Sequence, residues 1–260
     1  MINLIKYELL RKSKLLGIFL AITLILNAAA LIRLQTGDVS DESKMAVLGL
    51  FFMMLFWVVV ILYVVNMAMM FSRDLDHKTG YMFFMTPNSG LKILGAKVLT
   101  GILEGILFLA LYSLLLAVNF FGFYRELVWN FLNKTDFFNL VLNNIHMEIS
   151  EIITFVILCV LTLFIGLLSL ILIFYAAITI RKSILANRKF AGVITTVIFV
   201  LLVWLSAEVS EPLMNTFIVR PFAAGNTHYS YLLIQMAVEA AIGAVFFFIT
   251  GYLIDKRTDL

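Results

Sequence analysis

The sequence is poor in cysteine and in charge, and each shortage excludes a class of protein. Its one cysteine, Cys159, cannot form an internal disulfide, so a disulfide-stapled secreted fold is excluded. Only 13% of the 260 residues are charged, whereas 63% are hydrophobic. A soluble domain of this length could not bury that much apolar surface in one core. The composition therefore predicts an integral membrane protein.

The sequence also lacks the phosphate-binding loop of nucleotide hydrolases. The nearest approach is Gly90-x-x-x-x-Gly95, but Ala96 follows it before Lys97. It also enters an apolar run that predicts a membrane helix, rather than following a strand. The polar connections are too short to hold a nucleotide-binding domain. Any ATP that this protein uses is therefore expected to be hydrolysed by another chain.

Six apolar segments are long enough to cross a hydrocarbon core of roughly 30 Å, which needs about 20 residues. They are residues 15–32, 45–72, 98–123, 152–180, 190–207 and 228–254. The alternating pattern of a β-barrel is absent, and lipid offers the backbone no other hydrogen-bond partner, so helices are required. The predicted fold class is an all-α membrane protein with a single transmembrane domain of six helices.

The positions of Lys and Arg predict the orientation. If the N-terminus is inside, fourteen of the 19 basic residues lie on the cytoplasmic side and five outside. This asymmetry places both termini in the cytoplasm of a cell membrane. The net charge is only +3 and the basic residues lie in connections, so they indicate topology rather than nucleic-acid binding.

Metal-ligating side chains are sparse. The three histidines are His77, His146 and His228, and the predicted topology separates the first from the other two by the membrane. The His-Glu-x-x-His arrangement of zinc proteases is absent. Neither a metal site nor an intramembrane protease is predicted.

Residues 73–97 form the most distinctive cytoplasmic connection. Acidic residues come first, then an aromatic and methionine cluster, then Pro87 with turn residues behind it. We expect a short amphipathic helix, a turn and re-entry into the membrane. Its large apolar side chains are expected to be buried away from water, either in the membrane interface or in a groove on a partner protein.

This connection resembles the first cytoplasmic loop of ABC-2-type transporter permeases. The matching pattern reads Asp74-x-Asp76-x-Lys78-Thr79-Gly80-Tyr81-x-Phe83-Phe84-x-Thr86-Pro87-x-Ser89-Gly90-x-Lys92-Ile93-Leu94-Gly95-Ala96-Lys97. Six spans, cytoplasmic termini and a length of 260 residues also agree with that family. The resemblance therefore extends over the whole chain, and it indicates a bacterial source.

The resemblance implies a coupling helix that docks on a separate ATP-binding subunit. The residues implied to make this contact are Asp74, Asp76, Lys78, Thr79, Tyr81, Phe83, Phe84, Met85 and Pro87. It also implies two ATP-binding subunits per complex and a second permease, either another copy or a related chain. ATP and Mg²⁺ would be bound by those partners, so no cofactor and no catalytic residue is expected here.

Among the polar side chains inside predicted spans, Asn66, Glu104 and Glu239 are the candidates for a pathway or for helix packing. A charged group at the centre of a membrane costs roughly 2.5–3.5 kcal/mol on insertion scales, so each should face protein or water. Their role is either a hydrogen bond between helices or a place on a translocation pathway. Gly101-x-x-x-Gly105 predicts close helix packing.

The remaining connections have simpler interpretations. Residues 1–14 predict a basic helix on the inner surface or an ordinary positive flank. The outer segment 121–151 predicts an amphipathic helix leading into the fourth span, and the outer segment 208–227 is divided by Pro212 and Pro221.

Three functions of different kind are compatible with the sequence. The first is the permease of an ATP-driven exporter for an amphipathic or hydrophobic substrate, with peptide toxins or antimicrobial peptides as the class that the family resemblance implies. The second is a proton-coupled carrier that uses Glu104 and Glu239. The third is a membrane anchor or sensor that transports nothing.

Overall fold

In the computed structural model of the chain, every described residue except Ser89 is helical, and no strand occurs among them. The structure describes residues 6, 10, 17–18, 20–29, 31–32, 41–76, 89–123, 125, 149–184, 191–214 and 228–257. The prediction of an all-α protein with membrane-spanning character is confirmed for these residues.

Five of the described helices are long and apolar enough to cross a membrane. A shorter apolar helix, Leu20–Ala29, precedes them and lies within the first predicted span. In chain order the helices are α1 (Leu20–Ala29), α2 (Asp41–Asp76), α3 (Gly90–Val118), α4 (Ile149–Ile184), α5 (Ala191–Met214) and α6 (His228–Arg257). The six-span fold stays a prediction, because only residues 20–29 of the first predicted span are described as one continuous helix.

Most helix ends differ from the predicted span ends by a few residues, and the largest differences are at the start of α3 and the end of α5. Helix α2 continues to Asp76 and α3 already begins at Gly90, so both ends of the predicted connection 73–97 are helical. Residues 77–88 of the connection lie outside the described residues. Helix α5 runs through Pro212 to Met214 instead of ending near 207, and a proline in the last turn removes only one backbone hydrogen bond.

Several predicted segments lie outside the described residues. They are residues 1–14 apart from residues 6 and 10, most of the outer segment 121–151 and residues 215–227 of the outer segment 208–227. The predicted amphipathic helix inside 73–97 lies outside them as well. These four interpretations stay predictions.

The chain divides into two compact units, and two of its helices run from one to the other. The first unit takes its described residues from 64–102 and 150–260, and the second from 6–63 and 103–149. Consequently α2 gives its C-terminal part, and α3 its N-terminal part, to the first unit.

The buried interior of the first unit lies where α2, α3 and α4 pack closely. On α2, Met67, Phe71 and Leu75 recur every fourth residue and are all less than 3% exposed. The other helices are much less buried within the chain, since only 6% of the most apolar stretch of α5 and 11% of that of α6 is covered. Those two helices therefore present most of their apolar surface to lipid or to another chain.

The second unit contains a buried amide pair at the end of α3. The chain forms a π-helical turn, Asn119–Phe123, directly after α3, and the Asn119 side-chain amide donates to the Asn27 side-chain oxygen over 2.8 Å. Tyr112 donates to the Phe52 carbonyl oxygen, which links α3 to α2. In lipid, such interhelical hydrogen bonds and close packing hold helices together.

Candidate functional site

A buried ion pair lies at the base of the predicted coupling connection. The Lys97 ammonium donates to the Asp74 carboxylate, and the two side chains are only 2% and 5% exposed. Asp74 lies near the end of α2, and Lys97 lies in the second turn of α3. The pair therefore joins the two helix ends that flank residues 77–89, and each charge satisfies the other away from water.

A second contact fixes this end of α2 to α4. The rings of Phe71 and Tyr175 stack with centroids 4.1 Å apart and an interplanar angle of 19°. The Tyr175 hydroxyl also donates to the Met67 carbonyl oxygen over 3.3 Å. Tyr175 is buried and is followed on α4 by buried Ala176 and Ala177, small residues that let helices approach closely.

A third contact fixes the start of α3 to the end of α6. The backbone N–H of Gly90 donates to the Asp255 carboxylate. The first N–H groups of a helix have no partner within the helix, so a carboxylate there also matches the positive end of the helix dipole. A Cβ on Gly90 would lie 2.8 Å from Ile254, so only glycine fits this approach without a shift. We call these three contacts together the Asp74–Lys97 cluster.

Most residues that the family resemblance assigns to ATPase docking lie outside the described residues. These are Lys78, Thr79, Tyr81, Phe83, Phe84, Met85 and Pro87. Asp76 is the last residue of α2. Asp74 is described and its carboxylate is buried against Lys97, so its side chain is occupied within the chain rather than displayed on the surface.

The intramembrane polar residues lie in different environments. Asn66 is 3% exposed in the first unit. Glu104 is 1% exposed in the second unit and lies within electrostatic reach of Tyr63. Both glycines of Gly101-x-x-x-Gly105 are buried, as expected for residues at a helix contact.

Glu239 lies in a cavity of about 270 Å³ that α4, α5 and α6 form within the first unit. Gln235, one turn earlier on α6, donates its side-chain amide to Glu239 Oε1 over 3.1 Å. The other carboxylate oxygen, Oε2, is buried, and no donor among the described residues reaches it. A Cβ on Gly166 of α4 would lie 2.6 Å from Oε2, so the carboxylate packs directly against the backbone of α4.

Three serines complete the polar part of this cavity. The hydroxyls of Ser169, Ser206 and Ser210 donate to carbonyl oxygens of their own helices, over 2.9, 2.8 and 3.0 Å. Each hydroxyl proton is thereby used, and the lone pairs of each oxygen remain available. The three serine oxygens therefore offer hydrogen-bond acceptors to a ligand.

An apolar groove of about 690 Å³ lies beside this cavity, between α5 and α6. The cavity and the groove share Ser206, Val238 and Ile242. Apart from Ser206, the described residues that line the groove are all apolar, from Ile234 to Ile249 on α6 and from Leu202 to Leu213 on α5. The sequence singled out Glu239 but neither this groove nor the serines. Two spacings of four residues in the sequence indicate this polar cluster. Gln235 and Glu239 lie one turn apart on α6, and Ser206 and Ser210 lie one turn apart on α5.

Replacing Gly166 with Ala is expected to move the Glu239 carboxylate without disrupting the helices, because a carboxylate is the movable end of a flexible side chain. The displaced Oε2 loses its burial, so labelling of Glu239 by a hydrophobic carbodiimide should increase severalfold. Mass spectrometry of the labelled peptide measures this. The matched control is Gly192→Ala on α5, since nothing lies within 4 Å of a Cβ at that position. Equal labelling in both variants would contradict the packing of Glu239 against Gly166.

No group of three or more His, Cys, Asp or Glu side chains comes together within the described ranges in a way that could hold a metal ion. Comparison of the chain with family models, with curated proteins and with solved structures found no match. The relationship to ABC-2-type permeases therefore stays a prediction that rests on residues 74–97 and on the predicted topology.

Proposed function

We propose that this chain is the membrane-spanning subunit of an ATP-driven exporter of the ABC-2 type. The observation that carries the proposal is the buried pair of Asp74 and Lys97, which ties together the two helices on either side of the predicted docking connection. A flexible connection would absorb a push from a partner. A connection whose two ends are fixed to each other, and through Tyr175 to α4, transmits that push into the membrane.

In the proposed mechanism, two ATP-binding subunits dock on the connection 73–97 from the cytoplasm. Closure of these subunits around ATP moves the connection, and the Asp74–Lys97 cluster carries the movement to α2, α3, α4 and α6 as one body. The proposed translocation pathway then closes on one side of the membrane and opens on the other. Such a change is driven only if the partner binds the two conformations with different free energies.

The proposed complex contains two permeases, either two copies or this chain with a related one. The nearly uncovered apolar surfaces of α5 and α6 support this, because a second chain or lipid must cover them. The proposed location is a bacterial cell membrane with both termini in the cytoplasm. The proposed cargo is amphipathic or hydrophobic, with a peptide toxin or antimicrobial peptide as the specific choice, since the spans are apolar and nearly uncharged.

Replacing both Phe83 and Phe84 with Ser is expected to abolish docking of the ATP-binding subunit, because two large apolar anchors are removed from the connection. The measurement is co-purification of the ATP-binding subunit from native membranes together with ATP turnover of the purified complex. We expect at least a tenfold loss of bound subunit and loss of coupled turnover. Adding Tyr81→Ser should remove any residual binding.

The chain offers a matched control in Phe120 and Phe121, an adjacent pair that is 37% and 70% exposed in the π-helical turn after α3. Their double replacement with Ser removes the same two side chains from the predicted outer end. We expect it to leave docking unchanged. If the Phe83 and Phe84 variant kept its ATP-binding subunit and its turnover, the docking proposal would be wrong.

A proton-coupled carrier is the second candidate, and the Glu239 cavity favours it. In that case transport depends on a proton gradient, continues without ATP and is lost when Glu104 and Glu239 are both replaced with Gln. The exporter makes the opposite prediction, namely dependence on ATP. A membrane anchor or sensor would bind an ATPase but show no substrate-stimulated turnover.

A further inference from the structure

The described polar groups around the Glu239 cavity are one carboxylate, one amide and three serine hydroxyls, and the carboxylate is their only charged group. Gln235 donates to Oε1, Oε2 is buried without a donor among the described residues, and the three serine hydroxyls donate to their own helices. Among the residues that the structure describes, no Lys, Arg or His lines the cavity. A ligand that supplies positive charge and N–H donors matches this chemistry, whereas a phosphate, a sulfate or a carboxylate does not.

The apolar groove beside the cavity adds a second requirement. It follows α6 from Ile234 to Ile249, a length of about 22 Å at 1.5 Å per residue. This exceeds the roughly 15 Å that one leaflet of a bilayer core contributes, so an alkyl chain fits along it. Because Ser206, Val238 and Ile242 line both spaces, a head in the cavity and a chain in the groove can belong to one molecule.

We propose that the Glu239 cavity and the α5–α6 groove form one binding site for an amphiphile with a primary ammonium head and an apolar chain. The ammonium binds the Glu239 carboxylate and the lone pairs of the serine oxygens. The chain lies in the groove, covering apolar surface of α5 and α6. As the cargo class of the exporter this inference rests on the proposed function, but as a binding site it needs no ATP-binding partner.

Photolabelling of the full-length chain in the uncharged detergent dodecyl maltoside tests the site. The probe is dodecylamine with a photoreactive diazirine at the end of its chain, and mass spectrometry locates the label. We expect labelling of groove residues such as Val209 and Val245. Unlabelled dodecylamine should suppress the labelling at concentrations at least tenfold lower than dodecanol or dodecanoate, which share the chain but lack the ammonium.

Two variants test separately how the ammonium head and the alkyl chain of the ligand contribute to binding. Glu239→Gln keeps the shape and removes the charge, and it should lower groove labelling at least tenfold. Glu208→Gln, an exposed acid close by on α5, should leave it unchanged. Ala241→Trp fills the groove while the carboxylate stays, and it should also abolish the label. If Glu239→Gln failed to fold, Ala241→Trp would decide the matter, since labelling that survived it would overturn the site.

The remaining outcomes are equally decisive. If dodecanol competed as well as dodecylamine, or if Glu239→Gln bound the probe normally, the groove would be only lipid-facing surface and the proposal would be wrong. Added phosphatidylethanolamine identifies the source of the ligand: competition indicates a membrane lipid with an ammonium head, and its absence indicates a free amine. Because no ATPase is present, failure here leaves the docking proposal standing, and loss of docking leaves this site standing.

Discussion

Lys97→Met is expected to lower the free energy of unfolding by about 3–5 kcal/mol, the usual effect of removing one partner from a buried ion pair. The Asp74 carboxylate is 5% exposed and would lose the ammonium that neutralises it, while water cannot replace that charge. Denaturant titration of the purified chain in detergent measures the loss. Because Asp74 and Lys97 join the ends of α2 and α3, the proposed exporter predicts that ATP turnover also becomes uncoupled from cargo in this variant.

The double variant Asp74→Leu with Lys97→Met separates charge from packing. It removes both buried charges and fills the space with apolar groups, so it should recover most of the lost stability. Lys92→Met is the matched control, since Lys92 lies on the same helix five positions earlier and is exposed. We expect it to change stability by less than about 0.5 kcal/mol. If Lys97→Met behaved like Lys92→Met, the ion pair would not hold these helices together.

Tyr175→Ala is expected to cost about 3–5 kcal/mol, the range for removing a buried aromatic side chain. Tyr175 stacks on Phe71 and donates to the Met67 carbonyl, so the deletion opens a cavity between α2 and α4 and removes a hydrogen bond. Tyr175→Phe keeps the ring and loses only the hydroxyl, for which about 0.6–1 kcal/mol is expected. Thermal unfolding in detergent distinguishes the two variants.

The control for this deletion is Trp204→Ala, which removes a comparably large ring from a residue that is 60% exposed on α5. A ring that already faces lipid loses little when it is truncated, because lipid is as apolar as the protein interior. A small effect at Trp204 and a large one at Tyr175 would show that α2 and α4 are held by specific packing. Equal effects would contradict that interpretation.

The membrane class and five of the helices could be predicted because both follow from local composition. Runs of about 20 apolar residues have no stable alternative in lipid, so their helical state needs no knowledge of neighbours. The exact helix ends could not be predicted in the same way. Lys97 was counted among the cytoplasmic charges that set topology, whereas its charge is neutralised by Asp74 from the preceding helix. That pairing is a property of packing and is not visible in either segment alone.

In the Glu239 cavity, too, some features follow from the local sequence and others only from the packing of helices. An acid in an apolar helix stands out in any sequence, and Gln235 one turn earlier can be found from spacing alone. The role of Gly166 cannot be found from the sequence, because Gly166 lies on a different helix and only its lack of a side chain makes room for the carboxylate. Whether that absence matters depends on how α4 and α6 pack. The residues proposed for ATPase docking were identified through the family resemblance. The replacement of Phe83 and Phe84 with Ser tests that role.

The hydrogen bond from Gly90 to Asp255 constrains the order in which the protein can be assembled. The two residues are 165 positions apart, so the donor is synthesised long before its acceptor. Until α6 has entered the bilayer, the first turn of α3 lacks this capping carboxylate, so α3, α4 and α5 must be inserted with that turn open. Completion of this end of α3 therefore waits for the last described helix. A chain stalled before α6 would expose an unfinished surface to quality-control proteases.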